Sequence, residues 1–190
     1  DTARQAKDVP LARNTSGSWE KTYAPTPGKE NIISSQTQPE SGTAVFSALN
    51  TVQINEVMAS AAPFKNMPGY DYVELYNPGS YQNLAHWSIT LTGKKEQVFT
   101  IPSGTGLGHD EYLVIYFSES PSVRLNAGFS ISASYGTLTL KDTKGNIIDV
   151  LSWNEPLYGN LPYGRPSGSN EICFLETETF NRKNPASGYA

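Results

Sequence analysis

Glu56, Asp71 and Glu74 are the residues whose type and spacing come nearest to a reactive set. Carboxylates gathered at one end of a β-fold can hold Ca²⁺, which needs six to eight oxygens. Around the first of them, Val52, Ile54, Glu56 and Met58 fall on one face of a strand with period two. Glu56 is therefore expected to project from the apolar side. A carboxylate buried there must be hydrogen-bonded, or desolvation raises its pKa. The alternative is that Glu56 accepts backbone N–H groups where strands cross, while Asp71 and Glu74 are solvated strand-end residues. No metal is assigned; the three remain weak Ca²⁺ candidates.

Other reactive types are sparse. The two histidines are His86, on the polar side of its segment, and His109, in a Gly-rich loop. No base–nucleophile spacing links either to a Ser or to Cys173. The only cysteine lies in Glu171-Ile172-Cys173-Phe174-Leu175, a strand-like run where a buried, inert thiol is expected. Gly104-Thr105-Gly106-Leu107-Gly108 is neither a dinucleotide fingerprint nor a Walker loop, since no helix follows and no Gly-Lys-Ser/Thr is present. No cofactor is implied.

An aromatic cluster offers a binding candidate instead. Trp153, Tyr158 and Tyr163 lie in a Pro/Gly-rich stretch together with Asn154, Asn160 and Arg165. Rigid rings beside such polar groups could form a contact surface for protein or carbohydrate. Trp153, Tyr158, Tyr163 and Arg165 are the residues taken forward; the alternative is that the rings cover an open end of the fold.

The elements that must position these residues are β-strands. Of 190 residues only 17% are charged, the net charge is −4, and Gly and Pro together number 29. A mildly acidic, weakly charged chain lacks the basic footprint of a nucleic-acid binder. No run of about 18 apolar residues is available to span a membrane. One cysteine allows neither an internal disulfide nor a cysteine-based zinc site.

Residues 1–50 hold five basic and five acidic residues and three aromatics, so the whole −4 and 18 of the 21 aromatics fall in 51–190. Residues 24–44 read as a linker of turn formers and polar residues. Asp1 opens a polar stretch with no signal-peptide character. The organisation expected is a linker or extension over 1–50 and one β domain over 51–190.

Within that domain Ala85, Trp87, Ile89 and Leu91 alternate with His86, Ser88, Thr90 and Thr92, the pattern of a half-buried strand. Thr137–Leu140 repeats it. Glu111–Phe117 is apolar on both faces and reads as a central strand. Further strands are expected at 52–58, 71–77, 97–101, 146–153 and 171–175. Turn signals separate them, among them Asn77-Pro78-Gly79 and the hairpin signal Asp142-Thr143-Lys144-Gly145-Asn146. Eight short strands at this spacing suggest an antiparallel sandwich or barrel.

One internal repeat stands out. Val9-Pro10-Leu11-Ala12-Arg13 through Ser16-Gly17-Ser18-Trp19-Glu20 is similar to Leu161-Pro162-Tyr163-Gly164-Arg165 through Ser167-Gly168-Ser169-Asn170-Glu171. The second copy closes the β domain. Residues 1–31 are therefore expected to be the closing segment of a preceding module.

Three segments carry a family likeness. They are Ile54-Asn55-Glu56-Val57-Met58 followed by Asp71–Pro78; Leu84 and Trp87 before Ile101–Leu107 and Glu111–Ile115; and Leu138–Asp149. In this order the chain resembles the lamin tail domain in its bacterial form, over roughly 52–175. The Arg-Pro-Ser-Gly-Ser run after Gly164 and the stretch Thr26-Pro27-Gly28-Lys29-Glu30-Asn31 also look like the closing segments of such modules. The resemblance implies an all-β, immunoglobulin-like antiparallel β-sandwich of about 7–9 strands behind a long N-terminal polar extension. It implies a non-enzymatic accessory or interaction module of a larger secreted or cell-surface bacterial protein, since no catalytic residue belongs to the family. Two other readings are a carboxylate- or metal-dependent hydrolase and a purely structural spacer.

Overall fold

The computed structural model describes residues 51–61, 69–120, 125–177 and 179–189, and the backbone of Leu11–Arg13 and Trp19–Lys21. The expected linker at 24–44 lies outside the described residues. The chain divides into two units, Asp1–Val45 and Phe46–Ala190. In the first, β1 (Leu11–Arg13) pairs antiparallel with β2 (Trp19–Lys21), Leu11 opposite Lys21 and Ala12 opposite Glu20.

The second unit is all-β. Seven strands of five to seven residues form its body: β3 (Gln53–Met58), β4 (Asp71–Asn77), β6 (Ser88–Thr92), β7 (Glu96–Thr100), β9 (Glu111–Phe117), β10 (Gly136–Lys141) and β11 (Ile147–Trp153). Five shorter strands complete it: β5 (Gln82–Asn83), β8 (Gly106–Leu107), β12 (Tyr163–Gly164), β13 (Cys173–Leu175) and β14 (Gly188–Tyr189). One sheet has the order β11-β10-β6-β7 and the other β14-β13-β12-β3-β4-β9, with β5 and β8 paired separately. Every pairing of these strands is antiparallel. This is an immunoglobulin-like β-sandwich. Among the described residues no helix is long and apolar enough to cross a membrane.

Alternation builds the core. Ile89 and Leu91 on β6 and Leu138 and Leu140 on β10 meet Ile54, Val73, Leu75, Ile115 and Phe117 from the facing sheet. Each such buried side chain contributes roughly 1.5–3 kcal/mol relative to an exposed one. The hairpin expected at 142–146 is present: Asp142 Oδ1 accepts from the N–H groups of Lys144 and Asn146, both at 2.8 Å, and Gly145 takes a positive φ of 82°.

Three expectations need correction. The strand expected from residue 84 begins at Ser88, because 84–87 form a turn in which His86 has φ of 66° and the Trp87 N–H bonds the Leu84 carbonyl. Glu111–Phe117 lies at the edge of its sheet, beside β4. It reads as central because both its faces are covered. Leu113, Ile115 and Phe117 face the main core, while Val114 belongs to a second cluster with Met58 and Tyr72 on the outer face. Its edge is partly covered too: Tyr116 exchanges backbone hydrogen bonds with Leu125 and Ala127.

The third correction concerns Glu56. A β-bulge between Ile54 and Glu56 breaks the period of two on β3. Ile54 and Val57 therefore face the main core, whereas Met58 turns to the outer cluster with Tyr72. Glu56, one residue from Val57, shares that outer face and bonds Tyr72 there.

Candidate functional site

The bulge brings two carboxylates side by side. Glu56 and Glu74 are register partners on β3 and β4, and both are fully buried. Above them lies the C-terminal segment. Glu56 Oε1 accepts from the Tyr72 hydroxyl at 2.6 Å and Oε2 from the Thr179 hydroxyl at 2.9 Å. The same hydroxyl lies against Asn184 Oδ1. Glu74 Oε1 accepts from Asn55 Nδ2 at 2.8 Å, and Oε2 from the Asn181 backbone N–H at 2.6 Å. Burial, and secondly the charge of Glu56, push the Glu74 pKa up to about 8. Near neutral pH the pair thus retains a proton.

Asp71 does not join them. On β4 it falls on the opposite face from Glu74. Its oxygens accept from the N–H groups of Ala61 at 3.2 Å and Ile131 at 3.1 Å, which fixes the ends of two long loops. Burial raises its pKa, and those backbone donors oppose the rise. Among the described residues no group of three or more His, Cys, Asp or Glu is placed to hold a metal ion. The Ca²⁺ candidates are thereby divided: two carboxylates bond the closing segment and the third orders loops.

A second polar knot joins the two sheets. Asp149 on the inward face of β11 accepts from the Ile54 N–H at 2.6 Å. Arg165 clamps it with two bonds of 2.9 Å and also donates to the Ile54 carbonyl. Both side chains are about one-tenth exposed. Burial outweighs the Arg165 charge and raises the Asp149 pKa. Beyond Arg165 the knot continues: its N–H bonds the Asn55 carbonyl at 2.9 Å, and Asn184 Nδ2 donates to its carbonyl at 2.8 Å. Among the described residues every buried side-chain nitrogen and oxygen has a hydrogen-bond partner.

Of the four aromatic-cluster candidates, the structure brings two together. Tyr158 and Tyr163 both pack on Phe174, with centroids 5.1 and 5.0 Å away, and Tyr158 is 64% exposed. Trp153 is buried; its indole N–H donates to the Ser132 carbonyl at 3.2 Å. Arg165 is committed to Asp149. Cys173 is half-buried with a raised pKa, from burial and then from Glu171, which is the opposite of an activated thiolate. His86 Nε2 meets Ser103 Oγ at 3.2 Å, and His109 Nδ1 meets the Gly79 carbonyl at 3.0 Å.

Sequence reasoning missed a second aromatic cluster, in which Tyr72 is buried. Tyr72 and Tyr76 on β4 are register partners of Tyr116 and Tyr112 on β9. The Tyr76 and Tyr112 rings stack 4.8 Å apart at 23°. Asp110 accepts from the Tyr76 hydroxyl at 2.6 Å, and this bond, ahead of burial and charge, raises the Tyr76 pKa to about 12. Phe180 tilts against Tyr116 at 6.2 Å and meets Tyr72 edge-on at 5.5 Å. A groove of about 490 Å³ beside them is lined by Pro102–Gly106, Tyr112, Val114, Tyr116 and Phe180. The signal was available: Tyr-x-x-x-Tyr occurs in both strands, and period two puts all four rings on one face.

Fold and site together define an immunoglobulin-like module whose buried polar groups are spent on its own scaffold. Residues 46–155, more than half the chain, match the Lamin Tail Domain model, and the chain belongs to that family. No curated protein matches it significantly. The match ends before the closing segment that supplies Arg165, Thr179 and Asn184.

Proposed function

We propose that the chain is a non-enzymatic accessory module of a larger secreted or cell-surface bacterial protein, which attaches to protein or glycan and positions a neighbouring domain. The observation that carries this reading is the stacked Tyr76–Tyr112 pair, fixed by Asp110, whose Tyr112 ring lines a groove. Rings held rigid before contact lose little entropy on binding, and their hydroxyls offer polar partners. A hydrolase would need an acid–base pair open to substrate. Glu56 and Glu74 are instead covered and saturated by internal donors.

A glycan array and a pull-down with the full chain test the proposal. Tyr76→Ala and Tyr112→Ala should abolish capture at an unchanged urea midpoint. Tyr158→Ala tests the group in which Tyr158 and Tyr163 pack on Phe174 in the same assay. If neither face captures a protein or a glycan, the structural-spacer reading replaces this one.

A further inference from the structure

Strand β9 ends the six-stranded sheet, with β4 on one side and, among the described residues, no strand on the other. In an antiparallel ladder alternate residues turn both backbone polar groups toward the neighbour, and the others turn them away. Tyr116 is of the second kind: its N–H donates to the Leu125 carbonyl at 2.9 Å, and its carbonyl accepts from the Ala127 N–H at 2.8 Å. Tyr112 and Val114 share its parity, so their N–H and C=O groups also point outward. Among the described residues no backbone group meets them there. Val114 is only 9% exposed, and a backbone polar group buried without a partner is costly.

This edge is also undefended. Exposed edges are usually blunted by lysine, proline or a bulge. Glu111–Phe117 has none of these: its one charge is Glu111, and its pairing with β4 shows no register shift. The groove of about 490 Å³ lies at the open stretch, since Tyr112, Val114 and Tyr116 line it together with Pro102–Gly106. None of its lining residues is charged. Asp110 and Glu111, both exposed, stand where β9 begins.

The geometry points to β9 as the docking edge for an extended peptide of a partner protein. The peptide adds antiparallel along Tyr112–Val114 and exchanges main-chain hydrogen bonds with both residues, while its side chains enter the groove. Antiparallel is the direction of every other strand pairing in this sheet. The uncharged groove selects apolar side chains. The acidic start of β9 selects a lysine or arginine at the C-terminal end of the peptide, the end that antiparallel pairing brings to Glu111. This inference rests on the reading of the chain as an attachment module and names the partner as a protein segment.

The test uses the full chain and a phage-displayed library of random dodecapeptides, with selected sequences remade as synthetic peptides. Apolar peptides ending in Lys or Arg are expected, and the Tyr112 and Val114 amides should exchange hydrogen more slowly in the complex. N-methylating the peptide one residue at a time should weaken binding about tenfold or more, at alternate positions only. Val114→Pro removes an outward N–H without touching the β4 ladder, a place where an edge strand accepts proline. It should weaken binding as much; if that variant fails to fold, the methylation pattern decides. Peptides that bind without the alternation overturn strand addition and leave attachment through Tyr76 and Tyr112 intact. So does a library that yields no binder while Tyr76→Ala still abolishes capture of a protein or glycan. A dimeric full chain that Val114→Pro makes monomeric would put a second copy on the edge and overturn the peptide. Failure of every capture assay overturns both readings.

Discussion

Glu74 stays protonated into the neutral range because burial and the neighbouring Glu56 both oppose its ionisation. Its pKa in the folded chain, about 8, stands above the ordinary 4.5. The stability this group confers is therefore complete below about pH 4.5 and is lost as pH rises through 8. Glu74→Gln should flatten the urea midpoint across that window, where the parent falls by a few kcal/mol. Parallel profiles would refute the assignment. Arg165 makes a different case. Arg165→Ala leaves Asp149 buried without its cation and removes a donor from the Ile54 carbonyl, so a loss of about 3–5 kcal/mol is expected in denaturant unfolding. Much of this was unreadable from residue type. Sequence alone assigns Arg165 to a binding surface, because nothing local to it reveals that Asp149 lies across the sandwich. The need for partners at a buried Glu56 was readable; their identity, 16 and 123 residues away, was not.

Elements were more legible than their neighbours. Period-two patterning and turn signals locate the strands at 53–58, 71–77, 111–117 and 147–153 to within a residue or so. Sheet order depends on long-range pairing, which a local pattern does not contain. Glu111–Phe117 shows why: two covered faces look the same at an edge as at the centre. The bulge on β3 shows the converse, since one added residue moves Glu56 to the other face without altering composition. Gly164 is where the closing element depends on that bulge. Gly164→Ala sets a methyl group against backbone that cannot rotate away. The overlap should cost about 1–3 kcal/mol, and more if β12 leaves the sheet. An unaltered midpoint would mean that the two strands do not approach so closely.

At the scale of the whole molecule, the family match stops at residue 155, yet the sandwich is finished by strands beyond it. Those strands fix where the polypeptide enters and leaves the module. Passing from β3 to β12, β13 and β14, each neighbour reverses direction. The start of β3 and the end of β14 therefore lie at one end of the sheet, three strand spacings or roughly 14 Å apart. Tension applied through the two termini of Phe46–Ala190 would not slide the sheet's strands lengthwise past one another. It would open the structure like a zipper from β14 inward, breaking hydrogen bonds in sequence rather than together. A single-molecule pulling experiment should show β14 yielding first, at low force, then one pause at the contacts of Asn184, Asn181 and Thr179 with Asn55, Glu74 and Glu56 and a second at the Arg165–Asp149 clamp; Arg165→Ala should erase the second pause. Simultaneous rupture at high force would contradict the topology. The module is thus arranged to yield from its C-terminal edge and to hold where its closing segment bonds the buried Glu56, Glu74 and Asp149.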